Sequence, residues 1–146
     1  MAPNVARLRT HGGTGELLFR LGHSYVIAPF RDGGLPSAFA VTTTFYQYSI
    51  LDYGGDEVVI YDWDPDGPSP VRTPHLHVPA AGSIILGQRP RSPLTNQRTF
   101  LGNFHLPTGP IFLEDIVEML IREFQVVPRR QNWESVLAAN RAAGTA

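Results

Sequence analysis

The sequence predicts an α+β fold, an antiparallel β-sheet of about five or six strands covered by two C-terminal helices. Three observations carry this. The first half of the chain holds runs rich in Val, Thr, Phe, Tyr and Ile, broken by Gly and Pro clusters. From Leu113 onward the apolar residues switch to helical spacing. The chain has 146 residues, 42% of them apolar and 17% charged, so residues 1–146 read as a single globular domain.

The elements follow in order. The first dozen residues, ending in Gly12-Gly13-Thr14-Gly15, read as a loose terminus. Glu16–Leu21 and Ser24–Ala28 are short apolar runs split by Gly22-His23, which predicts a hairpin there. Arg31–Pro36 is a Gly/Pro turn. Ala38–Leu51 and Glu57–Trp63 are strands joined at Gly54-Gly55. A two-residue glycine loop sets Tyr48 opposite Tyr61, Tyr46 opposite Trp63 and Ile50 opposite Val59, all on one face. The resulting patch of four aromatic rings is either the core under a helix or a stacking surface for bases.

After the rigid Asp64–Pro70 turn, Val71–Val78 and Ser83–Leu86 read as strands. Gly87–Gln97 reads as a basic loop and Thr99–His105 as a last strand. Leu113, Ile116, Val117, Leu120, Ile121 and Phe124 form one helical stripe, with Glu114 and Asp115 suited to its first turn. Pro128 marks its end, and a second helix starts near Asn132.

Composition narrows the chemistry. The chain has no cysteine, which excludes disulfides, thiol catalysis and Cys-ligated metal sites. No apolar run approaches the roughly 18 residues of a membrane span, and no signal peptide is evident, so the expectation is cytoplasmic. Every one of the twelve basic residues is Arg, and the net charge is −1. The charges are segregated. Leu51–Asp66 carries acids without a base, whereas Gly67–Leu113 carries Arg72, Arg89, Arg91 and Arg98 without an acid. Such a segment suits a polyanion, or else neutralises the acidic block across adjacent strands.

His75 and His77, in Thr-Pro-His-Leu-His-Val, are the sharpest chemical signal. Two apart on a strand, they share a face, about 7 Å apart at the backbone. The pair can flank a phosphodiester as general base and general acid, with no cofactor. In that reading Arg72, with Arg89 or Arg91, steadies the charge on phosphorus, and Tyr46 or Tyr48 holds a base. Arg98, Tyr61 and Trp63 extend the substrate surface. Alternatively the pair binds a metal ion, with His105 and Asp62 as further ligands. A cupin pattern fails, because no Glu follows the pair. Asp62-Trp-Asp64-Pro-Asp66-Gly67 matches the start of a calcium loop, but Thr73 stands where that loop requires Glu.

Tyr46-Gln-Tyr48, Leu51-Asp52, Gly54, Tyr61-Asp62-Trp63, Pro65, Gly67 and Pro74-His75-Leu-His77 together resemble the TumE-like toxins of bacterial toxin–antitoxin pairs. The resemblance covers roughly residues 44–78. The histidine pair which that family carries after its Tyr-Asp element is replaced here by Asp64-Pro65. The resemblance implies an RNA-directed toxin, a ribonuclease, partnered by a helix-turn-helix antitoxin. The expected function is therefore metal-independent RNA cleavage by a histidine pair and arginine, with RNA and an antitoxin as partners. The alternatives are a His-ligated metalloprotein and a non-catalytic module whose sheet edge or basic loop docks another chain. A homodimer is compatible with each.

Overall fold

The computed structural model describes residues 5–11, 16–32, 35–81 and 104–144. Six antiparallel strands form one sheet in chain order, β1 (Val5–Arg9), β2 (Glu16–Asp32), β3 (Leu35–Leu51), β4 (Glu57–Trp63), β5 (His75–His77) and β6 (Leu106–Pro107). Two helices follow, α1 (Leu113–Arg122) and α2 (Trp133–Gly144). The predicted α+β architecture is the observed one. Among the described residues no helix is long and apolar enough to cross a membrane.

The β3–β4 pairing matches the predicted register, with Tyr46 opposite Trp63, Tyr48 opposite Tyr61 and Ile50 opposite Val59. The turn itself differs. Gly55 N–H donates to the Asp52 carbonyl at 3.0 Å and Asp52 N–H to Asp56 at 2.9 Å, which makes a three-residue loop. Gly55 takes φ 90°, a conformation that favours glycine. A register shift between Ile50 and Leu51 then restores the expected pairing.

The predicted hairpin at Gly22-His23 does not form. β2 runs straight through it, pairing Gly22 with Gln47 and His23 with Tyr46. Packing explains the glycine, because a Cβ at position 22 would lie 3.1 Å from the Phe45 ring. The reversal falls instead at the Arg31–Pro36 turn, where Asp32 pairs with Leu35. The expected Val71–Val78 strand shortens to three residues, because Pro74 and Pro79 bracket it and neither can donate to a ladder. Ser83–Leu86 and the Gly87–Gln97 loop lie outside the described residues. So does most of Thr99–His105, and β6 forms just after it. The N-terminus contributes the edge strand β1.

On one face the sheet presents Phe19, Tyr46, Tyr48 and Ile50 to Ile116 and Leu120 of α1, with Val126 beside them. The helix ends at Arg122, before Phe124, and Gln125 takes a left-handed φ of 55°. That turn lets Val126 N–H reach the Leu120 carbonyl at 2.9 Å and Val127 N–H the Arg9 carbonyl at 2.8 Å. At the start of α1 the Phe112 N–H donates to the Asp115 carboxylate at 3.0 Å. The opposite face carries the rows Gln47–Asp62–His75 and Ser49–Ile60–His77, set by cross-strand pairing.

Candidate metal centre

Three of the five histidines converge on that second face. His75 and His77 come from β5, and His105 precedes β6, which pairs with β5 through Leu76–Leu106 and His75–Pro107. The ring centroids lie 4.8 Å (His75–His77), 4.9 Å (His75–His105) and 4.4 Å (His77–His105) apart. One nitrogen from each ring lies within 4.8 Å of the other two. Around a tetrahedral ion bound at about 2.0–2.1 Å the nitrogens stand about 3.3 Å apart, so modest ring movement closes the site. Exposure is graded. His75 is 2% exposed, His77 half-buried and His105 open to solvent. The cluster therefore has a floor and a mouth.

The chemistry of His75 is fixed by its neighbours. Its Nδ1 lies 2.8 Å from the Thr73 carbonyl, which can only accept, so Nδ1 carries a proton. In the neutral ring Nε2 is then a bare lone pair, and it faces Asp62 Oδ2 at 3.8 Å. Asp62 Oδ1 is buried without a partner. With the ring neutral, two acceptors face one another beside that oxygen, an arrangement that a proton on Nε2 or a metal ion near both relieves. An Nδ1–H bond to a backbone carbonyl is also the usual way a metal-ligating imidazole is oriented. Burial, then His105 and His75, hold His77 below the ordinary histidine value, which favours the neutral ring a metal requires. Asp62 itself stands beside His75 but outside the three-nitrogen cluster.

The remaining predicted site residues lie elsewhere. The Arg72 guanidinium closes the acidic turn by donating to the Pro65 carbonyl at 2.9 Å and to that of Gly67. Tyr46 and Tyr48 are 3% and 0% exposed, stacked on each other at 5.0 Å in the core rather than open to a base. The Tyr46 hydroxyl accepts the Ile111 N–H at 3.3 Å, and the Tyr48 hydroxyl shares a 2.9 Å hydrogen bond with His23 Nδ1. Burial pushes both phenols above the ordinary tyrosine value. Tyr61 reaches Met119 Sδ at 3.5 Å, and Trp63 donates to the Arg72 carbonyl at 3.2 Å. Arg89, Arg91 and Arg98 lie outside the described residues. Asp62, Asp64 and Asp66 do not converge, and among the described residues the histidines are the one ligand cluster. Thr73 escaped the sequence reading because its contribution is a backbone carbonyl, which leaves no mark on residue type. No family model, curated protein or solved structure matches the chain.

Proposed function

We propose that His75, His77 and His105 hold a divalent transition metal, zinc in type, and that the centre is hydrolytic. The observation that carries this is the convergence of three imidazole nitrogens within 4.8 Å, with the deepest ring pinned by Thr73. Three protein ligands and an open side are the plan of a catalytic zinc site, where the fourth position holds water. An ion held there would supply a water acidic enough to act as a nucleophile at neutral pH. Asp62, beside His75, would accept a proton at its carboxylate.

A second reading keeps RNA as substrate. It rests on the resemblance to TumE-like toxins and on Arg89, Arg91 and Arg98, in the sequence between His77 and His105, where no acid occurs. In this reading cleavage is metal-independent, the protein works in the cytoplasm, and a helix-turn-helix antitoxin restrains it. The burial of His75, 2% exposed, favours the metal version, since a general acid or base must reach its substrate. The test is elemental analysis of the purified protein, followed by RNA and model-ester hydrolysis with and without chelator. About one zinc per chain, lost in His75→Ala and His105→Ala, supports the metal centre. A metal-free protein that takes up no zinc when it is supplied overturns it. Chelator-resistant RNA cleavage would return the reading to the histidine pair alone.

A further inference from the structure

The β2–β3 hairpin outgrows the sheet. β1 pairs with β2 only over Glu16–Arg20, and β4 pairs with β3 only over Tyr46–Leu51. Among the described residues, from Ser24 and Phe45 outward the two strands pair only with each other, as far as the Asp32–Leu35 pair. That is an arm of nine β2 residues, on the order of 30 Å long at strand rise. A lone two-stranded ribbon is marginal in water, and stability normally needs a further strand or a covering layer.

Alternation and register place Tyr25, Ile27, Phe39 and Val41 on one face of this arm, with Ile27 directly opposite Val41. They are 58%, 57%, 75% and 65% exposed. Nearer the body the same face carries Tyr46 and Tyr48 under α1, so the arm is that face continued without a cover among the described residues. Side chains of this size make a patch on the order of 400 Å², the size of the largest patch on a typical monomer, which is often functional. Ionic charge on the arm is confined to Arg31 and Asp32 at its tip. No Asp, Glu, Lys or Arg occurs between Arg20 and Arg31, or between Asp32 and Asp52.

From this we infer that the arms of two copies of the chain pack apolar face to apolar face about a two-fold axis. A ribbon charged only at its tip offers little to an acidic or basic partner along its length, but its apolar face is complementary to itself. A two-fold brings the same patch from each copy and satisfies both at once. The two patches bury about 800 Å² together, below the roughly 1,200 Å² of stable interfaces, so the dimer is a weak one that fills at the upper end of concentration. Each marginal ribbon becomes one layer of a two-layer sandwich, with the sheets about 10 Å apart.

The test is the solution mass of the full-length protein from micromolar to sub-millimolar concentration. The expected mass rises to twice the 16.1 kDa of one chain at the upper end. Phe39→Lys with Val41→Lys should return it to the monomer mass while the far-ultraviolet circular dichroism stays that of the wild type. Because the chain contains no cysteine, single introduced thiols report the face directly. Ile27→Cys should form a disulfide-linked dimer on mild oxidation. Val26→Cys, on the opposite face, and Tyr53→Cys, at the far turn, should not. A monomeric wild type overturns the inference. So does a dimer indifferent to the lysines, or one that cross-links through position 26 as readily as through 27.

Discussion

Asp62 and His75 are directly paired across β4 and β5, and their side chains meet with Oδ2 facing Nε2 at 3.8 Å. The Thr73 carbonyl, 2.8 Å from Nδ1, is what leaves Nε2 bare. A neutral ring and the carboxylate cannot satisfy one another. A proton on Nε2 or a metal ion resolves both.

This relationship predicts opposite effects from one substitution. Asp62→Asn keeps the shape of the side chain but offers an N–H to the bare Nε2. The metal-free protein should gain about 0.5–1.5 kcal/mol, the net worth of a hydrogen bond where there had been repulsion. Metal affinity should fall about 10–100-fold, as it does when a group that supports a ligand is lost. Thermal melting of the metal-free form and zinc titration check the two halves separately. A metal-free variant less stable than wild type would mean that His75 and Asp62 already form an ion pair.

The packing of α1 gives a second expectation. Leu120 is 4% exposed and sits in the cluster with Phe19, Tyr48 and Ile50, whereas Val117, one turn earlier, is only half-buried. Leu120→Ala should cost about 2–5 kcal/mol by lost burial and a residual cavity. Val117→Ala should cost clearly less. Urea unfolding of the two variants measures the difference, and equal losses would place α1 in a different rotation on the sheet.

The architecture was legible in the sequence because alternation, turn residues and helical spacing are local signals. Tyr48 opposite Tyr61 followed from two strands and a glycine turn, even though the turn closes over three residues. Gly22 was not legible. A glycine in an apolar run marks either a turn or a close approach, and only the Phe45 ring on the next strand decides for the second. The histidine pair was legible from its two-residue spacing. The arrival of His105 beside it was open, because it depends on a two-residue pairing between β5 and β6. Nor could spacing decide between a stacking surface and a core for Tyr46 and Tyr48. The helix that covers them lies far along the chain, and its apolar stripe does not say which face it meets.

Charge pairing between the helices predicts an acid sensitivity that the histidines do not cause. Arg141 on α2 reaches Asp115 at 2.9 Å and Glu118 at 2.7 Å on α1, and Arg122 reaches Glu118 at 2.8 Å. Hydrogen bonds from Arg141, then from Arg122, hold the Glu118 carboxyl below its ordinary value. A depressed folded value means that the contribution is present above the ordinary 4.5 and is lost as pH falls through the folded one. All partners are at least partly exposed, so the effect should be small and should shrink with salt. Glu118→Gln should lower stability slightly at neutral pH and not at all in acid. A loss that persists at acid pH would assign the residue a packing role.

The last prediction is that the metal staples the weak edge of the sheet. β5 has three residues and β6 has two, too few to hold the edge by ladder hydrogen bonds alone. An ion shared by His75, His77 and His105 closes the intervening chain into a loop. Closing a loop of that length by a covalent bridge stabilises by about 3–4 kcal/mol, which sets the scale for the ion. Zinc should therefore raise the melting temperature and chelator should lower it, and both responses should vanish in His105→Ala. Acid should act in the same direction as chelator. His77 is held below the ordinary 6.5 by burial and by its two neighbours, so the unfolded chain takes up protons first as pH falls below that value. Stability is then lost from about 6.5 downward, more steeply with zinc bound because protons must also displace the ion. Melting curves through this window, with zinc and with chelator, measure the slope. If zinc leaves the melting temperature unchanged at every pH, the three rings do not share an ion and the edge is held by other means.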